Sequence, residues 1–262
     1  MDPLAQLAAC GLAVGVLMFV TWAVSVRLRD ASIVDPVWGL AFAVVGLCAA
    51  LAGDGDGARR VLLAALAVVW GLRLFAYLAL RRRGAGEDFR YAAMRARNPR
   101  TFARRSLVTV FGLQAALVLV VSLPLQMAPL GDAPLGALAV AGVVVWAVGL
   151  LFEVVGDAQL ARFRRDPANR GRVLDTGLWR YTRHPNYFGD FLVWWGLYLV
   201  ALEAGGTWWT LVGPLVMSIL LVRVSGVALL ERDIAARRPG YADYVRRTSA
   251  FVPLPPRRRA VG

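Results

Sequence analysis

The sequence contains no lysine, one histidine and two cysteines among its 262 residues. Without lysine, the chain has neither a Schiff-base amine nor the lysine of a Walker-type phosphate loop. Cys10 and Cys48 both lie in apolar segments, where packing as small residues is favoured over a disulfide or a metal site. Because His184 has no second histidine or cysteine pair nearby, we predict no metal centre.

Hydrophobic residues make up 58% of the chain and the mean hydropathy is +0.57, whereas soluble domains contain roughly 45–50% apolar residues. They occur in blocks of about twenty residues, the length that an α-helix needs to cross a bilayer. Seven spans are predicted, at residues 4–26, 33–52, 61–80, 106–125, 134–158, 187–202 and 207–231. We therefore predict an all-α integral membrane protein, folded as a single membrane domain over 1–262 without a cleavable signal peptide.

All 30 basic residues are arginine, and the net charge is +13. Nine arginines fall within 81–105, seven within 159–186 and eight from residue 232 onward, whereas the opposite loops hold only Arg59 and Arg60. Because arginine-rich loops stay in the cytoplasm, the C-terminus is predicted to be cytoplasmic and, after seven crossings, the N-terminus outside. This topology accounts for the basic charge without a nucleic-acid partner.

Polar side chains inside a span cost a few kcal/mol each and are therefore functional candidates. Asp35 opens the second span, where its alternative role is to cap the helix. Arg73 and Tyr77 lie one turn apart on the third span, and Arg73 could simply extend towards the cytoplasm. Glu153 and Asp157 also lie one turn apart, and a hydrogen-bonding ligand or an arginine would relieve their repulsion.

The densest group of hydrogen-bonding side chains is the segment 177–190, with the sequence GLWRYTRHPNYFGD. It contains His184, and it places Asn186 and Asp190 one turn apart at the start of the sixth span. A histidine beside a proline is often structural. Here, however, hydroxyl, amide, imidazole and carboxylate groups meet where a basic loop enters the membrane, which indicates a ligand-binding site.

Residues 183–190, preceded by Gly177 and Tyr181, resemble the C-terminal NADPH-binding region of membrane steroid 5α-reductases and of sterol C14- and C7-reductases. Further residues occur in similar order on either side: Asp157, Arg162, Arg164, Glu231, Tyr241 and Tyr244. Residues 35–39 and 87–91 also resemble a bacterial branch described as steroid-5α-reductase-like, the DUF1295 type.

This resemblance is good over 150–256, the predicted cofactor-binding region, and weaker over 30–105. It implies an oxidoreductase of a bacterial inner membrane that uses NADPH to reduce a carbon–carbon double bond. The implied substrate is a lipophilic enone or sterol-like molecule that enters from the bilayer among the membrane lipids. The residues implied to bind NADPH are Glu153, Asp157, Arg162, Arg164, Arg172, Tyr181, Arg183, His184, Asn186, Tyr187, Asp190, Glu231, Tyr241 and Tyr244.

Guanidinium groups suit the phosphates of NADPH because they form paired, charge-assisted hydrogen bonds. The cytoplasmic loops offer many guanidinium groups for the 2′-phosphate, including Arg162, Arg164 and Arg172, so the protein is predicted to bind NADPH in preference to NADH. A Rossmann-type phosphate loop is not indicated, because the glycines of 53–57 fail the Gly-x-Gly-x-x-Gly pattern and lie on the opposite side of the membrane.

The resemblance departs at Trp70, which aligns with a tyrosine thought to donate to the substrate carbonyl in steroid 5α-reductases. An indole N–H can donate a hydrogen bond but is not a useful acid. The glutamine–glutamate pair of the reductases' second helix is also missing. Trp70 is therefore joined by Asp35, Tyr77 and Tyr91 as candidates for the catalytic donor.

A similar Arg-His-Pro-x-Tyr element occurs in isoprenylcysteine carboxyl methyltransferases, where it binds S-adenosylmethionine. A membrane methyltransferase is therefore the alternative prediction. Asn186 followed by Gly189 and Asp190, together with the acidic and aromatic stretch 87–91, favours the reductases. A non-enzymatic membrane protein that retains the scaffold is a further alternative. Binding of NADPH, of S-adenosylmethionine or of neither would distinguish the three.

Overall fold

The computed structural model describes residues 2–224 and 240–257. Within these ranges every regular element is helical, apart from one isolated parallel bridge between Thr182 and Ser249. The predicted all-helical class is thereby confirmed. The chain divides into two compact units, one of Met1–Ala139 with Leu197–Gly213 and the other of Val140–Gly196 with Pro214–Gly262.

The first unit contains three long helices and several short ones. In chain order these helices are α1 (Pro3–Leu28), α2 (Val34–Ala52), α3 (Gly57–Arg82), α4 (Phe89–Arg97), α5 (Phe102–Ser106), α6 (Leu113–Val121) and α7 (Leu123–Met127). A 3-10 turn, Ala31–Ile33, precedes α2, and a π-helical segment, Leu107–Gly112, joins α5 to α6.

Small residues bring α2 and α3 close together. A Cβ atom on Gly39 would lie 2.6 Å from the carbonyl oxygen of Gly71, so neither glycine can be enlarged without moving a backbone. Beside this contact, the rings of Phe42 and Trp70 meet edge to face at 5.6 Å. Trp70 therefore lies in the fully buried core of the α2–α3 pair.

The remaining long helices are α8 (Ala137–Arg165) and α9 (Pro185–Leu202), followed by α10 (Val212–Ile219), a π-helical segment (Leu220–Val224) and α11 (Tyr241–Arg247). In the second unit α8 and α9 approach through glycines. A Cβ on Gly149 would lie 2.6 Å from the Gly189 carbonyl oxygen, and one on Gly189 would lie 2.8 Å from Cγ of Glu153. This approach brings the acidic end of α8 to the start of α9.

Among the described residues, five helical stretches are long and apolar enough to cross a membrane: Pro3–Leu28, Ala31–Ala52, Gly57–Arg82, Phe102–Val121 and Ala137–Arg165. They correspond to the first five predicted spans and support the membrane class. The sixth predicted span is the 18-residue α9. The seventh predicted span, 207–231, contains the shorter apolar helix Trp208–Val224, and its residues after 224 lie outside the described residues. The seven-span topology stays a prediction.

The predicted orientation can be tested with a reporter that is active only outside the cytoplasm. Fused after Gly262 it should be silent, and inserted near Asp132 it should be active, because the arginine-rich loops remain in the cytoplasm. The reverse pattern would place His184 on the side away from cytosolic NADPH, and the topology would be wrong.

The loop before α9 is held by the C-terminal segment, residues 248–257. The Arg183 backbone N–H donates to the Ser249 carbonyl at 2.9 Å, and Thr182 Oγ1 donates to the Phe251 carbonyl at 2.8 Å. Further along, the Leu254 N–H donates to the Tyr181 carbonyl at 3.0 Å. These hydrogen bonds fix the backbone of the loop before α9 and of the C-terminal segment next to the predicted ligand site.

Candidate functional site

The first group of candidates in the second unit lies where α8 meets the start of α9. Glu153 and Asp157 are 3% and 5% exposed, and Asn186 donates its side-chain N–H to Asp157 Oδ1 at 3.2 Å. Asn186 thus supplies one of the hydrogen bonds that a buried carboxylate requires. Asp190 follows one turn later on α9 and is half-buried.

His184 is buried immediately before α9. Its backbone N–H donates to Thr182 Oγ1 at 3.2 Å, and its ring stacks on the ring of Tyr187 with centroids 5.6 Å apart and planes 8° from parallel. The imidazole is therefore held in one orientation at the N-terminus of an 18-residue helix. The dipole of such a helix favours negative charge at that end.

Arg183 and Tyr244, both predicted to bind cofactor, make contacts with the backbone. Arg183 Nη1 donates to the carbonyls of Val245 and Thr248 at 3.1 and 2.7 Å, and the Tyr244 hydroxyl donates to the carbonyl of Trp179. The two side chains hold α11 and the C-terminal segment against the loop before α9. Both therefore shape the surrounding surface.

Two cavities of about 270 and 490 Å³ open beside the C-terminal segment. The arginines that line one or both are Arg180, Arg183, Arg246, Arg247 and Arg257. Asp243 accepts from Arg247 Nε at 2.9 Å, and Asp175 lies 3.6 Å from Arg247 Nη2. In contrast, the guanidinium groups of Arg180 and Arg257 have no ion-pair partner in the described part of the chain. These two cations are available to an anionic ligand.

The other predicted cofactor residues are more dispersed. Arg162, Arg164 and Arg172 are exposed at the end of α8 and in the following loop, and none of them lines either cavity. Tyr181 is 43% exposed, whereas Tyr241 is buried on α11. The remaining predicted residue, Glu231, lies outside the described residues.

Arg180, Arg247 and Arg257 were missed by sequence reasoning. Arg180 does belong to the segment 177–190 that the sequence singled out. Arg247 and Arg257 join it only because the C-terminal segment folds back, with the Arg257 N–H donating to the Arg247 carbonyl at 2.9 Å. No local sequence pattern predicts that the chain reverses its direction there.

The first unit contains a second polar group, centred on Asp35. The Tyr91 hydroxyl donates to Asp35 Oδ1 at 2.8 Å, and Arg90 Nη2 donates to Asp35 Oδ2 at 2.9 Å. Arg90 Nε also donates to Asp88 Oδ1, and the guanidinium lies 5.3 Å from the centre of the Tyr91 ring. The structure thus joins Asp35 and Tyr91, two of the four catalytic candidates.

The environment keeps Tyr91 in its phenol form. Burial raises the pKa of Tyr91 above its ordinary value, and the nearby carboxylate of Asp35 raises it further. The alternative role of Asp35 as a helix cap is wrong, because α2 begins at Val34 and Ile33 occupies the cap position. Asp35 instead points its carboxylate at α4.

A network of ion pairs fixes α4 next to the junction of α1 and α2. Glu87 accepts two hydrogen bonds from Arg95, at 2.8 and 2.9 Å, and one from the backbone N–H of Ala31 at 2.8 Å. The hydrogen bonds from Arg95 lower the pKa of Glu87 below its usual value. Arg82 adds a 2.9 Å ion pair with Asp30. These contacts determine where Tyr91 lies.

The other two catalytic candidates have different surroundings. The Tyr77 ring lies between the guanidinium groups of Arg73 and Arg81, 5.4 and 5.5 Å from its centre. Trp70 belongs to the buried α2–α3 contact with Phe42. Their catalytic roles stay predictions.

These features define a helical membrane protein with buried acidic groups and arginine-lined cavities. The chain belongs to the family described as "protein of unknown function (DUF1295)", whose model matches residues 21–248. It is 24% identical over 263 positions to an uncharacterized protein of Schizosaccharomyces pombe, an alignment that covers 89% of this chain and 76% of the yeast protein. No solved structure matches the chain. The DUF1295 part of the predicted resemblance is therefore confirmed.

Proposed function

We propose that the protein is an NADPH-dependent reductase of a carbon–carbon double bond in a lipophilic enone or sterol-like substrate. The supporting observation is a combination of groups within the second unit. It contains buried carboxylates at Glu153 and Asp157 and, beside the C-terminal segment, the cavities lined by Arg180, Arg247 and Arg257. Groups of these kinds bind the ribose hydroxyls and the phosphates of dinucleotides.

The chemistry of these groups fits NADPH. Ribose hydroxyls need hydrogen-bond acceptors, which the two carboxylates provide. Phosphates need cationic donors, and Arg180 and Arg257 carry guanidinium groups without an ion-pair partner among residues 2–224 and 240–257. Asp243 orients Arg247 at the boundary of both cavities. The phosphate site proposed here is built from loops and does not require a Rossmann fold.

When bound, NADPH would supply a hydride to the electron-poor β carbon of an enone, and a proton from water would complete the reduction at the α carbon. In the first unit, Tyr91 is the proposed donor to the carbonyl oxygen, where negative charge develops. Its hydroxyl already donates to Asp35, and Arg90 holds the other oxygen of that carboxylate. Because a phenol has a single proton, substrate binding would turn this O–H from Asp35 to the carbonyl oxygen, and the raised pKa of Tyr91 keeps the proton on the phenol until then.

Cofactor binding to detergent-purified protein tests the proposal. NADPH should bind, and Asn186→Ala should weaken it roughly ten- to a hundredfold, because a hydrogen bond in a buried site is lost. Asn169→Ala is the matched control in the same unit, since it removes an amide that donates to the Phe163 carbonyl at 3.1 Å. Its NADPH affinity should equal that of the parent.

Thermal unfolding of both variants separates a loss of binding from a loss of structure. If Asn186→Ala lowers only the melting temperature and binds NADPH like the parent, the segment is structural and the reductase proposal fails. Binding of S-adenosylmethionine without NADPH would point instead to the methyltransferase alternative.

A further inference from the structure

The arginines of residues 82–105 include two groups with different surroundings. Those that face the Asp35 group are paired with carboxylates, as the Arg95–Glu87 and Arg82–Asp30 contacts show. Arg97, Arg100 and Arg104 are exposed, and across the described residues their side chains have neither an ion pair nor a hydrogen bond. The sequence offers no acidic residue between Asp88 and Asp132. Their positive charge is therefore not balanced by an acidic residue nearby in the sequence.

The turn that carries these arginines is held in shape. Arg105 Nη1 donates to Asn98 Oδ1 at 3.0 Å, which brings the end of α4 to the start of α5. Arg95, fixed by Glu87, also lies over the Phe102 ring at 4.4 Å from its centre. These contacts fix the conformation of the turn that contains residues 97–104.

The position of this turn relative to the bilayer follows from its neighbours. Phe102–Val121 is one of the apolar helical stretches long enough to cross a membrane, and Arg104 lies in its first turn. Val108, one turn further along the same face, is 72% exposed, as expected of a side chain in contact with lipid. Trp22 of α1 donates its indole N–H to the Ala103 carbonyl at 2.7 Å. Tryptophan is enriched at the headgroup level of membranes.

We propose that Arg97, Arg100 and Arg104 bind the phosphate of an anionic phospholipid such as phosphatidylglycerol. A guanidinium group can donate two parallel hydrogen bonds to the oxygens of one phosphate. Basic clusters at the end of a membrane span attract anionic lipids. The exposed apolar face that begins at Val108 would contact the acyl chains, which favours a lipid over free phosphate. This site lies outside the proposed reductase machinery and does not depend on it.

Lipid binding to the detergent-purified full chain tests this site, with phosphatidylglycerol or phosphatidylcholine added in mixed micelles and detected by native mass spectrometry. The parent should retain phosphatidylglycerol in preference to phosphatidylcholine. The double variant Arg97→Gln/Arg104→Gln should bind phosphatidylglycerol about 25-fold more weakly, since each arginine near an anionic surface contributes a factor of about five.

The control Arg165→Gln/Arg170→Gln removes the same charge from two exposed arginines elsewhere. It should retain phosphatidylglycerol like the parent. Equal retention by the two double variants would overturn the site, because the effect would then follow net charge alone. Displacement of the lipid by millimolar inorganic phosphate would also overturn it, because the site would then bind free anion.

Discussion

Replacing Tyr91 by phenylalanine should lower turnover of a lipophilic enone by roughly 10²- to 10⁴-fold, the usual contribution of a positioned acid. The substitution removes only the hydroxyl that donates to Asp35 at 2.8 Å and leaves the ring over which Arg90 lies. NADPH oxidation, followed with a panel of enones, measures the effect. NADPH affinity should hardly change, because Tyr91 is not one of the residues proposed to bind the cofactor.

The environment of Tyr91 determines how turnover should depend on pH. Since burial and Asp35 raise the pKa of Tyr91, the phenol stays protonated above the ordinary tyrosine value of about 10. Turnover should therefore show no loss through ionisation of Tyr91 below that pH. A decline that begins near neutral pH and disappears in Tyr91→Phe would contradict this assignment.

Tyr77→Phe is the matched control, because its ring would keep the contacts with Arg73 and Arg81. We expect near-parental turnover from this variant. If Tyr77→Phe is inactive and Tyr91→Phe is active, Tyr77 on α3 is the hydrogen-bond donor to the substrate carbonyl. The hydrogen bond between Tyr91 and Asp35 would then be structural.

The long helices could be predicted from sequence because a bilayer leaves the backbone few options. Every N–H and C=O in the hydrocarbon must be satisfied within the helix, so length and apolarity are sufficient signals. The prediction of 33–52, for example, agrees closely with Ala31–Ala52. The boundary at 125 was wrong, because the helix ends at Val121 and Pro124 stands in the first turn of α7. Proline cannot continue the hydrogen bonding of the preceding helix.

The site was only partly predictable because its contacts join residues far apart in sequence. Asp35 and Tyr91 were both recognised as candidates, but Arg90, their shared neighbour, is one of 30 basic residues with similar local context. For Asp157, the sequence indicated that a hydrogen-bond partner was needed. It did not indicate that Asn186, itself a candidate, would be that partner.

The arginines proposed to bind phosphate were equally hard to predict, and this difference can be tested. Sequence reasoning selected Arg162, Arg164, Arg172 and Arg183. Of these four, Arg183 lines a cavity, which Arg180 and Arg257, not selected, also help to line. Both sets follow from the same requirement for guanidinium groups near the segment 177–190. Only the fold of the C-terminal segment determines which arginines line the cavities. The two sets of arginines therefore lead to different predictions about which variants lose the preference for NADPH.

Replacing Arg180 and Arg257 together by glutamine should weaken NADPH binding by roughly a hundredfold or more. Each lost charge-assisted hydrogen bond to phosphate costs about tenfold or more. NADH binding should fall much less if the cavity holds the 2′-phosphate, so the preference for NADPH should largely disappear in fluorescence titrations. Arg162→Gln/Arg164→Gln removes the same charge from outside the cavities and should keep that preference. If this second variant loses it instead, the 2′-phosphate lies at the end of α8 and the cavities bind something else.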